Sequence, residues 1–106
     1  MHDTPLVVAD CDGVIRFWSA GAEKAFGHPA TEAVGQSLDL IVPPEFRAAH
    51  WKGFRRAVET GSAGVEGEAT PFPVRHADGG ISAVPGRLTL VRRPHGGVVA
   101  VLVAFD

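Results

Sequence analysis

Apolar positions in this chain follow different rhythms along its length, and each rhythm predicts a different kind of element. Leu6 to Ala9 and Val14 to Trp18 are short apolar runs flanking Asp10-Cys11-Asp12-Gly13. An acidic, glycine-ended tetrapeptide between two such runs predicts an antiparallel hairpin. Ser19 then suits the N-cap of a short helix through Phe26, and Gly27 suits its end. Pro29-Ala30-Thr31-Glu32 opens another brief helical turn, and the run Leu38 to Val42 leads into a longer helix that begins at Pro43 and closes at Gly61. In that helix Phe46, His50, Gly53, Phe54 and Ala57 share one face, while Lys52, Arg55, Arg56 and Glu59 share the opposite one.

From Val65 onward the pattern turns to strands: Val65 to Arg75, a turn at Ala77-Asp78-Gly79-Gly80, Ile81 to Arg93, a turn at Pro94-His95-Gly96-Gly97, and Val98 to Phe105. Pro71 and Pro73, two residues apart, drop their missing amides on the same side, which places the 65–75 strand at a sheet edge. Pro85-Gly86 predicts a bulge or interruption in the next strand. The order β-β-α-α-α-β-β-β is that of an α+β fold, a five-stranded antiparallel sheet with helices packed across one face.

Composition narrows the function. The chain has 106 residues, which is one domain's length, with 45% hydrophobic and 21% charged residues. No apolar stretch approaches the roughly 20 residues of a membrane span, so membrane insertion is not expected. The amino terminus has no basic or apolar leader and Cys11 has no partner cysteine, so a cytoplasmic setting is expected. A net charge of -2 gives no general attraction to nucleic acid, and Arg47, Lys52, Arg55 and Arg56 read as a solvated helix face. No nucleophile–base pair, P-loop or dinucleotide fingerprint points to an enzyme.

His50 is the residue whose chemistry this leaves open. An inward imidazole serves as a satisfied core group, as a hydrogen-bond donor to a ligand, or as a metal ligand. His2, His28, His76 and His95 lie near a terminus or in turns, without the spacing of a zinc site, and solvent exposure is expected for them. Trp18 and Trp51 read as packing residues.

Asp12-Gly13-Val14-Ile15, the run Phe17 to Gly27, Glu32 to Leu38, Ile41-Val42-Pro43 and Asp78-Gly79 together resemble a PAS domain, a sensor module, along the whole chain. Ser19 stands where the family usually has Asn. The resemblance implies a cavity between sheet and helices, used by different members for haem, flavin, small acids or nothing. Flavin photosensors of the family carry a reactive cysteine on the helix before the long one, whereas Cys11 lies in the first turn, so light-driven adduct chemistry is not expected.

Similarity is closer to the oxygen-sensing haem PAS domains of rhizobial histidine kinases and bacterial cyclic-dinucleotide phosphodiesterases, whose axial histidine follows an Arg-x-x-His pattern. Arg47-Ala48-Ala49-His50 reproduces it, and Val65-Glu66-Gly67 resembles the phosphodiesterase segment before its distal ligand. The resemblance implies haem ligated by His50, apolar walls from Phe46, Phe54, Val65, Val101, Leu102 and Val103, and a diatomic gas as the sensed ligand. It also implies a homodimer passing its signal to an effector domain or partner signalling protein.

Glu68 and Thr70 occupy the positions of the distal Met and Arg, and strand alternation puts them with Phe72 and Val74 on the face that looks at the cavity. A carboxylate there is costly unless paired, and it would repel bound O2. The alternative is a ligand-free or other small-ligand module that mediates dimerisation and signal relay, in which a buried His50–Glu68 pair satisfies both groups.

Overall fold

The first hairpin closes on the side chain of Asp10. One carboxylate oxygen accepts from the amides of Asp12 and Val14 at 2.9 and 3.0 Å, and the other from Arg16 at 2.8 Å, so the acidic residue organises the turn. The computed structural model describes residues 3–106; the expected exposure of His2 falls outside them. The hairpin comprises β1 (Leu6–Asp10) and β2 (Ile15–Trp18). Then come α1 (Ala20–Phe26), α2 (Ala30–Ala33), 3-10 turns at Leu38–Leu40 and Pro44–Phe46, and α3 (Arg47–Thr60). The chain finishes with β3 (Thr70–Arg75), β4 (Ile81–Arg92) and β5 (Val98–Phe105).

The caps act as expected. The Ser19 hydroxyl accepts from the amide of Ala22 at 3.1 Å, and Gly27 ends α1 in the left-handed region at φ +89°. The sheet order is β2-β1-β5-β4-β3, antiparallel throughout, with the apolar β5 between two partners and the proline-bearing β3 at an edge. Helices pack across one face, where Phe26, Phe54, Val74, Leu90, Val101 and Phe105 are among the buried residues.

Several expectations are corrected. The strand predicted from Val65 begins only at Thr70, because residues 64–67 form a tight turn with Gly67 at φ +78°. Pro85-Gly86 makes no bulge: β4 runs through it with Pro71 opposite Pro85 and Thr70 opposite Gly86. The Pro85 carbonyl faces β5 and accepts from Asp106 at 2.8 Å, so its missing amide falls where β5 ends. Gly86 is there for space, since a Cβ would press on the Phe105 ring at 3.1 Å. The shift in register lies at Val91/Arg92 instead.

On α3 the apolar stripe is partly broken. Phe54 and Ala57 are buried, but Gly53 is exposed, and Phe46 is 43% exposed because it sits in the 3-10 turn before the helix proper. His28 and His76 are not the solvent-facing turn residues expected. The His28 side chain is only 13% exposed beside Trp18, and the ring nitrogens of His76 bond the Ala25 carbonyl at 3.0 Å and Ser82 Oγ at 2.7 Å. His95 is exposed, as expected.

Candidate functional site: a two-lobed cavity around His50

The start of α3 has no side-chain N-cap, and its first turns are tied down from the side. Arg47 donates to the carbonyls of Val42 and Asp39, each at 3.1 Å, and Trp51 Nε1 donates to Asp39 Oδ1 at 2.8 Å. The Trp51 ring also covers the first hairpin turn, where a Cβ on Gly13 (φ +79°) would collide with it. Two anchors on one side of the helix aim the intervening face at the sheet. Ala49, His50, Phe54 and Ala57 therefore look into the space between helix and sheet.

That space has two lobes. The inner one, about 360 Å³, is lined by Val7, Ala9, Leu38, Ile41, Val42, Phe46, Ala49, His50, Phe54, Phe72, Pro73, Val74, Leu88, Val101, Val103 and Phe105. Among the described residues, His50 supplies its only polar side chain. The outer one, about 720 Å³, lies between the second half of α3 and the loop after it, with Arg56, Thr60 and Ser62 among its lining residues. Ala49, His50, Phe54, Phe72, Leu88 and Val101 belong to both, so the imidazole stands where the lobes meet.

His50 is half-buried, and its Nδ1 is fully buried with no hydrogen-bond partner among the described residues. Its ring contacts those of Trp51 and Phe54, with centroids at 4.7 and 5.9 Å. Burial pushes the imidazole below its ordinary pKa, with the Asp39 carboxylate partly opposing, so the neutral form is favoured. The site therefore presents a neutral imidazole on the wall of an apolar space, with one ring nitrogen that makes no hydrogen bond among the described residues.

The other anticipated site residues divide. Phe54, Val101 and Val103 line the inner lobe, with Phe46 at its rim, and Val65 lines the outer one. Leu102 does not line it: flanked by Val101 and Val103, it pairs with Val8 and Thr89 on the opposite face of the sheet. Glu68 is exposed in the loop before β3, so the His50–Glu68 pair does not form. Thr70 lies outside both linings, and its hydroxyl donates to the Glu68 carbonyl at 3.0 Å. Val7, Ala9 and Leu88 were not anticipated, although inward alternation on their strands was a usable signal. Arg56 is exposed, as the solvated face predicts, and also lines the outer lobe.

The family model of the PAS fold matches residues 3–106. Among curated proteins, the chain is 32% identical over 65 residues to the oxygen sensor protein DosP of Escherichia coli, covering 61% of this chain and 8% of DosP. It is 35% identical over 52 residues to the sensor protein FixL of Bradyrhizobium diazoefficiens, covering 47% of this chain and 10% of FixL. The chain thus spans a tenth or less of the length of these relatives. Among solved structures, a PAS domain from Colwellia psychrerythraea superposes with a TM-score of 0.80 at 21% identity, covering 97% of this chain and 84% of that one. The PAS domain of the Cronobacter turicensis quorum-sensing receptor RpfR, in complex with BDSF, superposes at 0.78 with 16% identity, covering 100% and 94%. With the family model matching nearly end to end and the sheet, helices and central cavity all in place, the chain belongs to the PAS fold family.

Proposed function

We propose that this PAS sensory domain binds haem through His50. The observation that carries the reading is the His50 imidazole, standing where an apolar inner lobe meets a more polar outer one. Among the described residues no group of three metal-ligating side chains exists, so a metal held by His50 must bring most of its donors with it, as a porphyrin does. The inner lobe alone is near the small end of the ~300–1,000 Å³ range of ligand pockets. A porphyrin therefore has to reach into both lobes, and a ligating side chain shared by the two is what such a flat disc requires.

His50 would hold the iron, Phe54, Phe72, Leu88 and Val101 would pack on the macrocycle, and Arg56 would meet a propionate at the outer lobe. When bound, haem supplies an iron position for a diatomic gas or for electron exchange. The protein's part is to keep the imidazole neutral and to keep water out with an apolar lining. With Glu68 outside the cavity, the inner lobe offers a gas neither a donor nor a charge beyond His50. Like the sensors it resembles, the domain would act as a homodimer that passes its state to an effector domain or partner signalling protein.

One observation favours a second reading. A metal-ligating histidine usually donates its other ring nitrogen to an acceptor, and with Nε2 as the ligating atom Nδ1 finds no acceptor among the described residues. A carboxylic acid with an apolar chain would fill the inner lobe and place its head near His50 or Arg56; the RpfR PAS domain has been solved with such a ligand, C12:0. Hemin titration separates the readings. A sharp Soret band that His50→Ala loses is expected; the same band in the variant excludes His50 as ligand, and no band in the wild type leaves the acid, tested by binding of dodecanoate.

A further inference from the structure

Between α3 and β3, residues 61–69 run along an edge of β4 that no strand of the described residues covers. β4 extends to Arg92, but β3 pairs only with Ile81 to Gly86. Beyond Gly86 the even-numbered residues turn their backbone groups to the open side. Leu88 O accepts from the amide of Gly67 at 2.9 Å, and the amide of Leu90 donates to Glu66 Oε2 at 2.9 Å. At Leu90 a carboxylate thus does the work of a neighbouring strand's carbonyl.

Arginines on β4 complete the attachment. Arg92 Nη2 and Nη1 donate to the two Glu66 oxygens at 2.6 and 3.0 Å, and Arg92 also reaches Gly61 O at 2.9 Å. Arg87 Nη1 donates to Gly67 O at 2.7 Å. The bond from Arg92, with that from the Leu90 amide, holds the Glu66 carboxyl below its usual range, so it stays charged. Gly61 and Gly67 take φ of +72° and +78°, and a Cβ at either, or at Gly64, would meet nothing within 4 Å. Gly61, which caps α3, and Gly67 therefore serve backbone conformation, not close packing. Meanwhile Ser62, Ala63, Gly64 and Val65 form one wall of the outer lobe.

A segment that walls a cavity, turns at two left-handed glycines and is held by surface polar bonds has the construction of one that opens locally. We propose that residues 61–69 are a hinged strap controlling passage into the outer lobe, with Glu66, held between Arg92 and the Leu90 amide, as its latch. The proposal rests on the reading that the cavity admits a ligand, and not on that ligand being haem.

The test uses the ligand-free chain. In amide hydrogen exchange, Glu66→Ala and Arg92→Ala should each accelerate Gly67, whose bond to Leu88 O neither substitution removes, by about tenfold or more, while β1 and β5 amides keep their wild-type rates and report an intact fold. In stopped-flow binding of the fluorescent probe 1-anilinonaphthalene-8-sulfonate, both variants should raise association and dissociation rates by a common factor, leaving affinity unchanged. The double variant should add nothing, because both side chains belong to one latch. Unchanged exchange overturns the latch. Faster exchange with unchanged binding rates shows a strap that opens without being the door, and overturns the gating. A wild type that fails to bind the probe removes the cavity function on which the strap depends. Failure of hemin binding alone would overturn the haem reading and leave the strap standing.

Discussion

Nδ1 of His50 is buried without a partner among the described residues, and a buried polar group in that state weakens the ligand-free protein. Replacing it with a side chain that needs no partner should remove the deficit. His50→Leu is expected to raise the stability of the ligand-free chain by about 1 kcal/mol in urea unfolding, while abolishing the Soret band with hemin. A loss of stability in that variant would instead make His50 an ordinary packing residue. The residue's inward direction was legible from helical spacing alone. Its lack of a partner was not, because Glu68, the partner that strand alternation supplied, left the cavity when the chain turned at residues 64–67.

Among the elements, the ones read correctly carry their determinants locally: Ser19 and Gly27 at the ends of α1, Gly61 at the end of α3, and Asp10 in the first turn. Asp10 gives an element-level prediction. Burial alone would raise its carboxyl, but the backbone bond from Val14, the Arg16 guanidinium and the Asp12 amide outweigh it and hold the pKa below the ordinary value of 3.8. A depressed carboxyl contributes stability that is present above its unfolded pKa and is lost as pH falls through the folded one. Asp10→Ala should therefore cost about 1–2 kcal/mol near neutral pH, since it strips acceptors from two turn amides. Measured by urea unfolding below pH 3, the difference from wild type should shrink; a constant difference would mean the side chain acts by packing. The misread elements depend on remote partners. Glu66 looked like a strand residue, yet its side chain is consumed by Leu90 and Arg92, and Pro85 escapes a bulge only because β5 ends beside it.

For the whole molecule, a ligand held in the two lobes would become part of the stability. A ligand that binds only the folded chain stabilises it by mass action, about 2.7 kcal/mol at a free concentration a hundred times Kd. Hemin in excess should raise the urea midpoint accordingly, and the increment should vanish in His50→Ala. An equal increment in that variant would show that hemin binds elsewhere. Order and kind of elements, the caps, the edge position of β3 and the aim of His50 were determined by sequence, because each rests on periodicity or on a residue's own backbone preference. Only the tertiary structure decided that the cavity has two lobes, that Glu68 lies outside it while Arg56 lines it, and that Glu66 is clasped to β4. Those outcomes depend on where the loop after α3 lies against an uncovered strand edge. That placement is set by bonds between residues far apart in the chain, which local pattern does not encode.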